Sequence, residues 1–420
     1  MRGLDTSGPG RRPPRPAERD DVPVAQVLTP LARARAQVLA ASRPLAAEAI
    51  ALQDALGRVL AEPVHAAADV PGFDNSAMDG FALRAGTAGR RLVLAGEARA
   101  GAPAVGPLGA EEAMAISTGA ALPQGADAVL ELERAEVREG AVIPRLEVAP
   151  GRNVRRAGED VRAGSRVLAG GRRLGPVELG LAAGAGAARV HCARRPRLAL
   201  VATGDELVAP GQVLGPGQIY DSNRIALAGL AARGGAEVVL TRHVGDSPAA
   251  TVAALDDALG AADVVLASGG VSVGAHDHVR PALERIGVSE IFWGIALRPG
   301  KPTWFGTRGR QLCFGLPGNP VSALVTFLLL VRPALARLQG AWPLYRTVPA
   351  RLGTAVPRRR ARDEAIRVRL VHERSGPRAV PTGAQGSHIL SSMLDADGLA
   401  LIPAGEGELP AGEPVTIELI

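Results

Sequence analysis

Lys301 is the only lysine among 48 basic residues, and it lies in RPGKPTWFG (298–306), between two prolines and beside a glycine. A chain that writes every other basic position as guanidinium keeps one compact ammonium here. Its small, strongly hydrated charge and three rotatable donors suit phosphate or another oxyanion, whereas arginine is a planar fork. An exposed lysine without a ligand is the competing reading, and two neighbouring segments weigh against it. GLPGNPVS (315–322) joins an apolar run to a helical pattern. Its Gly315, Pro317, Gly318, Asn319 and Pro320 would shape a turn where helix amides and a partial positive charge meet an anion. SGGVSVG (268–274) repeats that chemistry with Ser268, Gly269, Gly270 and Ser272. Either loop alone could be a tight turn with no ligand; the repetition favours an anion site.

A second set of residues is acidic and also sits in glycine-rich turns. It comprises Asp79 in DNSAMDG, Asp160 in AGED, Asp205 and Glu206 in TGDE, Asp221 in YDSN, Asp246 in GDSP and Asp277 in AHDH. Taken singly, a turn aspartate is usually a backbone cap. Several of them in one basic, anion-binding chain suggest a divalent cation held against phosphate, where Mg²⁺ takes one or two carboxylates and completes its shell with water and substrate. No Ser-His-Asp order, zinc spacing, P-loop or dinucleotide fingerprint is present.

These loops need elements to hold them, and the pattern supplies them. Val24 to about Ala41 has helical spacing and ends near Pro44, and Ala46 to Leu56 reads as a second helix stopped by Gly57. From Pro63 to Gly164 short apolar runs separated by Gly and Pro predict a small β-rich domain. Residues 165–195 return to Ala and Leu at helical spacing and would pack back on the first helices. From Arg197 strands alternate with helices of about a dozen residues, including one capped by Ser247 with Pro248 at its first position. That alternation predicts a doubly wound, mostly parallel sheet, with ligands beyond the carboxyl ends of its strands. ATGDEL, SGGVSVG and GLPGNPVS each fall at such an end. After Trp342 short alternating runs predict a small C-terminal β-barrel or sandwich. The expected fold is therefore multidomain α/β, divided as a leader (1–21), a discontinuous helical domain (22–62 and 165–195), a β-rich domain (63–164), the α/β domain (196–342) and the barrel (343–420).

Composition bounds the function. With 420 residues, several domains are expected. The net charge of +6 suggests anionic partners. Nucleic acid is disfavoured, because the arginines are spread along the chain and aromatics amount to only 3%. Cys192 and Cys313 lie far apart, which argues against a disulfide framework or zinc site and for a reducing compartment. Residues 1–21 have no apolar run to act as a signal peptide and read as a disordered leader. The most apolar stretch, Val321 to Val331, ends at Arg332, short of the roughly 20 residues needed to span a bilayer. A cytoplasmic protein is expected.

In order along the chain, VPGFDNSAMDGFA (70–82), AISTGA with GADAVLELE (115–133), GRNVRRAGEDV (151–161), ATGDEL (202–207), GQIYDSN (217–223), SGGVSVGAHD (268–277), RPGKP (298–302), GLPGNPVSA (315–323) and GAQGSHILSS (383–392) resemble the molybdopterin molybdenumtransferase family, MoeA type. Its eukaryotic relatives are the E domains of gephyrin-type proteins. The resemblance runs from about residue 25 to 420.

It implies an enzyme that inserts molybdate into adenylylated molybdopterin with Mg²⁺-dependent hydrolysis of the adenylate, releasing AMP and molybdenum cofactor. It further implies an L-shaped homodimer of four-domain subunits, served by a molybdopterin adenylyltransferase, with a third domain of molybdopterin-binding fold. Carried over by motif, Asp79 and Thr118 face the partner subunit's cleft. Asp160, Glu206, Asp246, Asp277 and Lys301 join Asp79 as the catalytic set, with Thr118 binding the cofactor and Asp205, Glu206 and Asp246 as metal ligands. Pro317 and Pro320 shape the phosphate loop, and Arg298, Arg367 and Ser387 match the molybdate positions. A tetrahedral dianion needs such cationic and hydroxyl donors from several segments.

Two departures stand out. Gly294 follows Trp293 where the family often has a basic residue, and the stretch before Arg367 lacks the usual aromatic. A molybdopterin adenylyltransferase would share only the third-domain motifs. A non-catalytic carrier or scaffold would bind the same ligand without turnover, and a tungstate-inserting paralogue is indistinguishable at this level.

Overall fold

The computed structural model describes residues 27–271, 277–342, 344–374 and 376–420. The leader, the Val24 start of the first expected helix and Ser272 lie outside the described residues. Four compact units follow one another, and the chain passes twice through the first.

The opening helix is Leu31–Ala41, with Pro30 at its N-cap. It starts later than its apolar spacing predicted because a residue preceding proline is pushed to extended backbone, which keeps Thr29 out of the helix. The helix expected over Ala46 to Leu56 is instead a strand, Ala47–Ala51, followed by a single 3₁₀ turn, Leu52–Asp54. Arg189–Ala193 pairs antiparallel with that strand along its whole length. Ala-rich sequence has no strong strand preference of its own, so the ladder offered by the partner decides the conformation. Within 165–195 only Pro176–Gly184 is helical, flanked by strands Arg166–Leu168 and Arg189–Ala193. Leu60, Leu174, Ala182, Val190 and Cys192 close a small core that joins the two passes of the chain.

Between them lies a six-stranded, mostly antiparallel sheet built from Gly80–Leu83, Leu92–Ala98, Glu112–Ile116, Ala128–Glu131, Ala135–Arg138 and Ala141–Pro144. Arg152 binds Glu131 through two nitrogens at 2.8 and 3.1 Å, fastening the GRNVRRAGED loop to this sheet.

The central unit is a six-stranded sheet in the order Glu237–Val244, Arg197–Thr203, Val264–Ser268, Gln311–Leu316, Trp304–Arg308, Ser289–Trp293. The first four strands are parallel and the last two antiparallel. Side chains alternate between two cores, as the two-residue period of a strand requires. Leu198, Leu200, Val264 and Leu266 face one, under Ser222–Arg233 and the opening helix. Ala199, Val201, Val265 and Ala267 face the other, under Pro248–Ala261 and Val279–Arg285. A sheet buried on both faces explains why these strands read as continuous apolar runs.

The apolar segment after GLPGN continues past Arg332. Pro320–Leu338 forms one helix of 19 residues, passing through a π turn at Phe327–Val331. Its length and hydropathy would suffice to cross a bilayer, but the apolar window is 83% buried within the protein, so it is a core helix. Burying each Leu or Phe of this helix contributes roughly 1.5–3 kcal/mol.

Residues 347–419 form a closed five-stranded barrel. Thr347–Leu352 pairs with Gly376–Pro381 and Pro414–Leu419, and Asp363–Glu373 and Gly398–Ile402 complete the ring. The short strand Leu297–Arg298 of the central unit adds to this barrel in parallel with Asp363–Glu373.

Candidate functional site

Three loops meet at the carboxyl end of the parallel strands, and their glycines are there for want of space. Gly269 and Gly270 have φ of +88° and +61°. A Cβ on Gly269 would lie 2.6 Å from the Thr203 carbonyl, and one on Gly270 2.8 Å from Thr203 Oγ1. The ATGDEL and SGGV turns are thus pressed together. Asn223, in the first turn of the helix Ser222–Arg233, donates to Ser268 Oγ at 3.1 Å and to the Gly318 carbonyl at 2.7 Å. One amide therefore links the loops that carry Ser268, Gly269 and Gly270 to those that carry Gly315, Pro317, Gly318 and Asn319. The sequence motif YDSN had drawn attention only to its aspartate; Asp221 caps the helix through the Arg224 N–H at 3.0 Å.

Several polar atoms in or next to these loops have no hydrogen-bond partner although they are buried, namely Thr203 Oγ1, Asn223 Oδ1 and both Asp277 carboxylate oxygens, and the same holds for Arg367 Nη1 in the barrel. Elsewhere only Gln37 Oε1 and Arg90 Nε share that state among the described residues. An unpaired buried polar group is costly, so clustering of this kind points to a ligand. Burial pushes the Asp277 carboxyl up to about 7, against the lowering pull of Arg280. The same Arg280 lies over the Trp293 ring at 4.6 Å.

The acidic residues divide. Asp205 Oδ1 accepts from the Asp246 N–H at 2.9 Å, tying together the ends of two neighbouring strands. Glu206 is exposed and folds against Gly204, where a Cβ would lie 2.3 Å from its Oε2. Asp246 is exposed as well. No group of three His, Cys, Asp or Glu side chains converges as a metal centre among the described residues. The oxygen donors present, Glu206, Asp246 and the free edge of Asp205, suit Mg²⁺ held by one or two carboxylates rather than an all-protein cage.

The candidate cationic residues come from two units. Lys301 is exposed, in the turn after the short strand that ends at Arg298. Arg367 is wholly buried. Its Nε donates to Ser392 Oγ at 3.2 Å and its Nη2 to the carbonyls of Ala384 and Gly386 at 3.2 and 3.3 Å. Burial first, then repulsion from Arg298, lowers its pKa to about 10. Ser387 lies in the loop those carbonyls belong to, and its own carbonyl accepts from Val321 N–H at 3.0 Å. The barrel loop thereby sits on the start of the helix at Pro320. It also takes one of the amides the sequence had offered to an anion, and Pro320 has none to give. Gln385 Oε1 accepts from the Arg367 N–H at 2.9 Å, and Glu364, on the strand Asp363–Glu373, lies 3.1 Å from Arg298; nothing in local spacing marks these partners or Ser392.

Gly294 has φ +83°, a backbone that favours glycine, and its amide and carbonyl bond Thr303 and Thr29. Arg298, Lys301 and Arg367 are the cationic side chains of the surrounding segments that the sequence singled out.

Asp79, Thr118 and Asp160 are not brought to this site within the chain. Asp79 Oδ1 accepts from Thr118 N–H at 2.7 Å and Oγ1 at 3.1 Å, and both residues are exposed on the β-rich unit. Asp160, also exposed, bonds through its backbone N–H to the Val70 carbonyl at 3.1 Å. Phe73 and Met78, in the same segment as Asp79, are 53% and 43% exposed.

Comparison with known proteins agrees with this architecture. Three family models match in order: the MoeA N-terminal region (domain I and II) over residues 29–186, a probable molybdopterin binding domain over 199–337, and the MoeA C-terminal region (domain IV) over 349–420. The molybdopterin molybdenumtransferase of Haemophilus influenzae is 40% identical over 384 residues, covering 89% of this chain and 94% of its own. Molybdopterin molybdenumtransferase 2 of Mycobacterium tuberculosis is 37% identical over 399 residues, covering 92% and 97%. A solved structure of the molybdopterin biosynthesis MoeA protein from Pyrococcus horikoshii superposes with a TM-score of 0.79 at 34% identity, covering 94% of this chain and 99% of that one. With relatives of that identity along nearly its whole length, the chain belongs to the molybdopterin molybdenumtransferase family of transferases.

Proposed function

We propose that this chain transfers molybdate to adenylylated molybdopterin and releases AMP, with the pterin and its phosphates lying across the junction of the Thr203, Ser268 and Gly318 loops. The observation that carries the reading is the set of buried, unpaired polar atoms of Thr203, Asn223 and Asp277 in or next to the loops at the carboxyl end of the parallel strands, with a further one, Arg367 Nη1, in the barrel. Thr203 and Asn223 would bind neutral edges of the ligand, and Lys301 a phosphate. Arg298, Arg367 Nη1 and Ser387 would orient the oxyanion for attack on the adenylate phosphorus, which displaces the pterin phosphate; the Mo–O bond to the adenylate then breaks as the pterin sulfurs take molybdenum, and AMP leaves with one molybdate oxygen. Asp277, with a pKa near neutrality, is suited to hold or give up a proton beside the reacting groups.

Glu206 and Asp246, with Asp205 behind them, would hold Mg²⁺, which when bound polarises the phosphate and neutralises developing charge. Asp79, Thr118 and Asp160 would complete the site of a second copy, in a homodimer. Their exposure on the β-rich unit, with apolar Phe73 and Met78 exposed in the same segment as Asp79, supports that assignment. A molybdopterin adenylyltransferase would supply the substrate, and the reaction would take place in the cytoplasm.

AMP release from adenylylated molybdopterin by the wild type, Glu206→Gln and Lys301→Ala, with Mg²⁺ and molybdate, tests the reading. Each substitution should slow release on the order of 10²-fold, the usual loss when one charge-stabilising group is removed. Undiminished release by both would contradict it. Tight substrate binding with no release by the wild type would make the chain a carrier.

A further inference from the structure

The oxyanion pocket proposed above contains a carboxylate of its own. Arg298 and Glu364 face each other in register across the parallel pairing of Leu297–Arg298 with Asp363–Glu373. Arg298 Nη1 lies 3.1 Å from Glu364 Oε1, and Arg359 Nε lies 3.8 Å from Glu364 Oε2. Glu364 also acts on Arg367, raising its pKa where Arg298 and burial lower it. The Glu364 side chain is 13% exposed and that of Arg298 40%. The carboxylate is therefore fixed in the barrel wall, while the guanidinium has room to turn.

Arg367 cannot turn. Its Nε and Nη2 are committed to Ser392, Ala384 and Gly386, and only Nη1 is free. Arg298 and Arg367 are like charges that repel each other, and Glu364 is the group that balances them. A dianion arriving between them would do the same work, but it would meet the Glu364 charge and would have to draw Arg298 away.

We propose that Glu364 is an internal counter-anion that Arg298 exchanges for the incoming oxyanion, so that this carboxylate sets oxyanion affinity. The inference rests on reading Arg298, Arg367 and Ser387 as the oxyanion pocket. Glu364 is on this account a positioning residue. It keeps the pocket balanced between turnovers and weakens ground-state binding of a substrate that must move on to the pterin. Tight ground-state binding would lower KM without speeding the chemical step.

The test is calorimetric titration of the full chain with sodium molybdate and, separately, sodium tungstate. It compares wild type with Glu364→Gln, Glu364→Asp and Arg298→Ala, each first checked by its melting curve. Glu364→Gln keeps the shape and removes the charge. It should tighten both oxyanions about tenfold, a modest share of the Coulomb energy available at short range near a surface. Glu364→Asp, with its carboxylate drawn back from Arg298, should tighten them about threefold, which preserves the test if the Gln variant does not fold. In turnover, Glu364→Gln should lower both KM for molybdate and kcat.

Unchanged or weaker binding by a folded Glu364→Gln, together with weaker binding by Arg298→Ala, would remove the counter-anion role and leave the pocket. Molybdate binding that Arg298→Ala does not alter would remove the pocket, and this inference with it.

Discussion

At the scale of single residues, Asp277 carries the clearest electrostatic signature of the site. Its carboxyl is pushed up to about 7 by burial, from an ordinary value of 3.8. Between about pH 4 and 7 the folded chain therefore holds a proton that the unfolded chain has released. Its contribution to stability falls as pH rises through that window and stays low above it. Asp277→Asn abolishes this loss, so the variant should melt higher than wild type at pH 8, with the gain shrinking as pH falls toward 4. Equal melting temperatures at pH 8 would mean that the carboxyl is not held in an unfavourable setting.

At this scale much was legible in the sequence. Gly269, Gly270 and Asp277 stand in motifs whose glycines and turn aspartates announce themselves by composition. Asn223 and Glu364 did not. Their partners lie 45 or more positions away, at Ser268 and Gly318 for the first and Arg298 for the second. Only strand order and register bring them together.

At the scale of elements, the alternation of strands and helices after Arg197 was readable because a sheet buried on both faces leaves unbroken apolar runs. The Ala-rich stretch at 46–56 misled, since its spacing fits a helix and its strand conformation depends on Arg189–Ala193. The helix from Pro320 outran its apparent end because Arg332 leaves the core by reaching to the Leu419 carbonyl and Glu418. Within the β-rich unit the paired contact of Arg152 with Glu131 holds that carboxyl down at about 2, its hydrogen bonds outweighing the cost of burial. A depressed carboxyl contributes stability above its unfolded pKa and loses it as pH falls through the folded value. Glu131→Gln should therefore cost about 1.5–3 kcal/mol at pH 7, as urea unfolding would measure, with the difference from wild type fading between about pH 4.5 and 2. A cost that persisted undiminished at pH 2 would assign it to packing.

At the scale of the whole molecule, Glu418 is the joint between units. Its side chain is 2% exposed and meets Arg35 of the opening helix and Arg332 of the long core helix, while its backbone belongs to the barrel. Removing it strands two guanidiniums, one of which burial already pulls down in pKa. Glu418→Ala should cost about 3–5 kcal/mol, as for other broken buried ion pairs. Calorimetry should then resolve a separate, earlier transition for the barrel; a single unshifted transition would contradict this.

The dimer can be tested by complementation. If Asp79 serves a second copy's Glu206, mixing Asp79→Asn with Glu206→Gln subunits gives one intact site in each hybrid dimer. Random mixing should then restore about a quarter of wild-type activity. If both residues served the same chain's site, no mixture would recover activity.

The central claim is that one site couples loss of AMP to gain of molybdenum. The most direct measurement is a single-turnover experiment in which enzyme loaded with adenylylated molybdopterin and Mg²⁺ is mixed with molybdate, quenched at intervals, and assayed in the same aliquots for AMP and molybdenum-bound pterin. Both products should rise together at one rate and in equal amounts, and neither should form without molybdate. AMP appearing equally fast without molybdate, or molybdenum-bound pterin forming while the adenylate stays intact, would contradict the account.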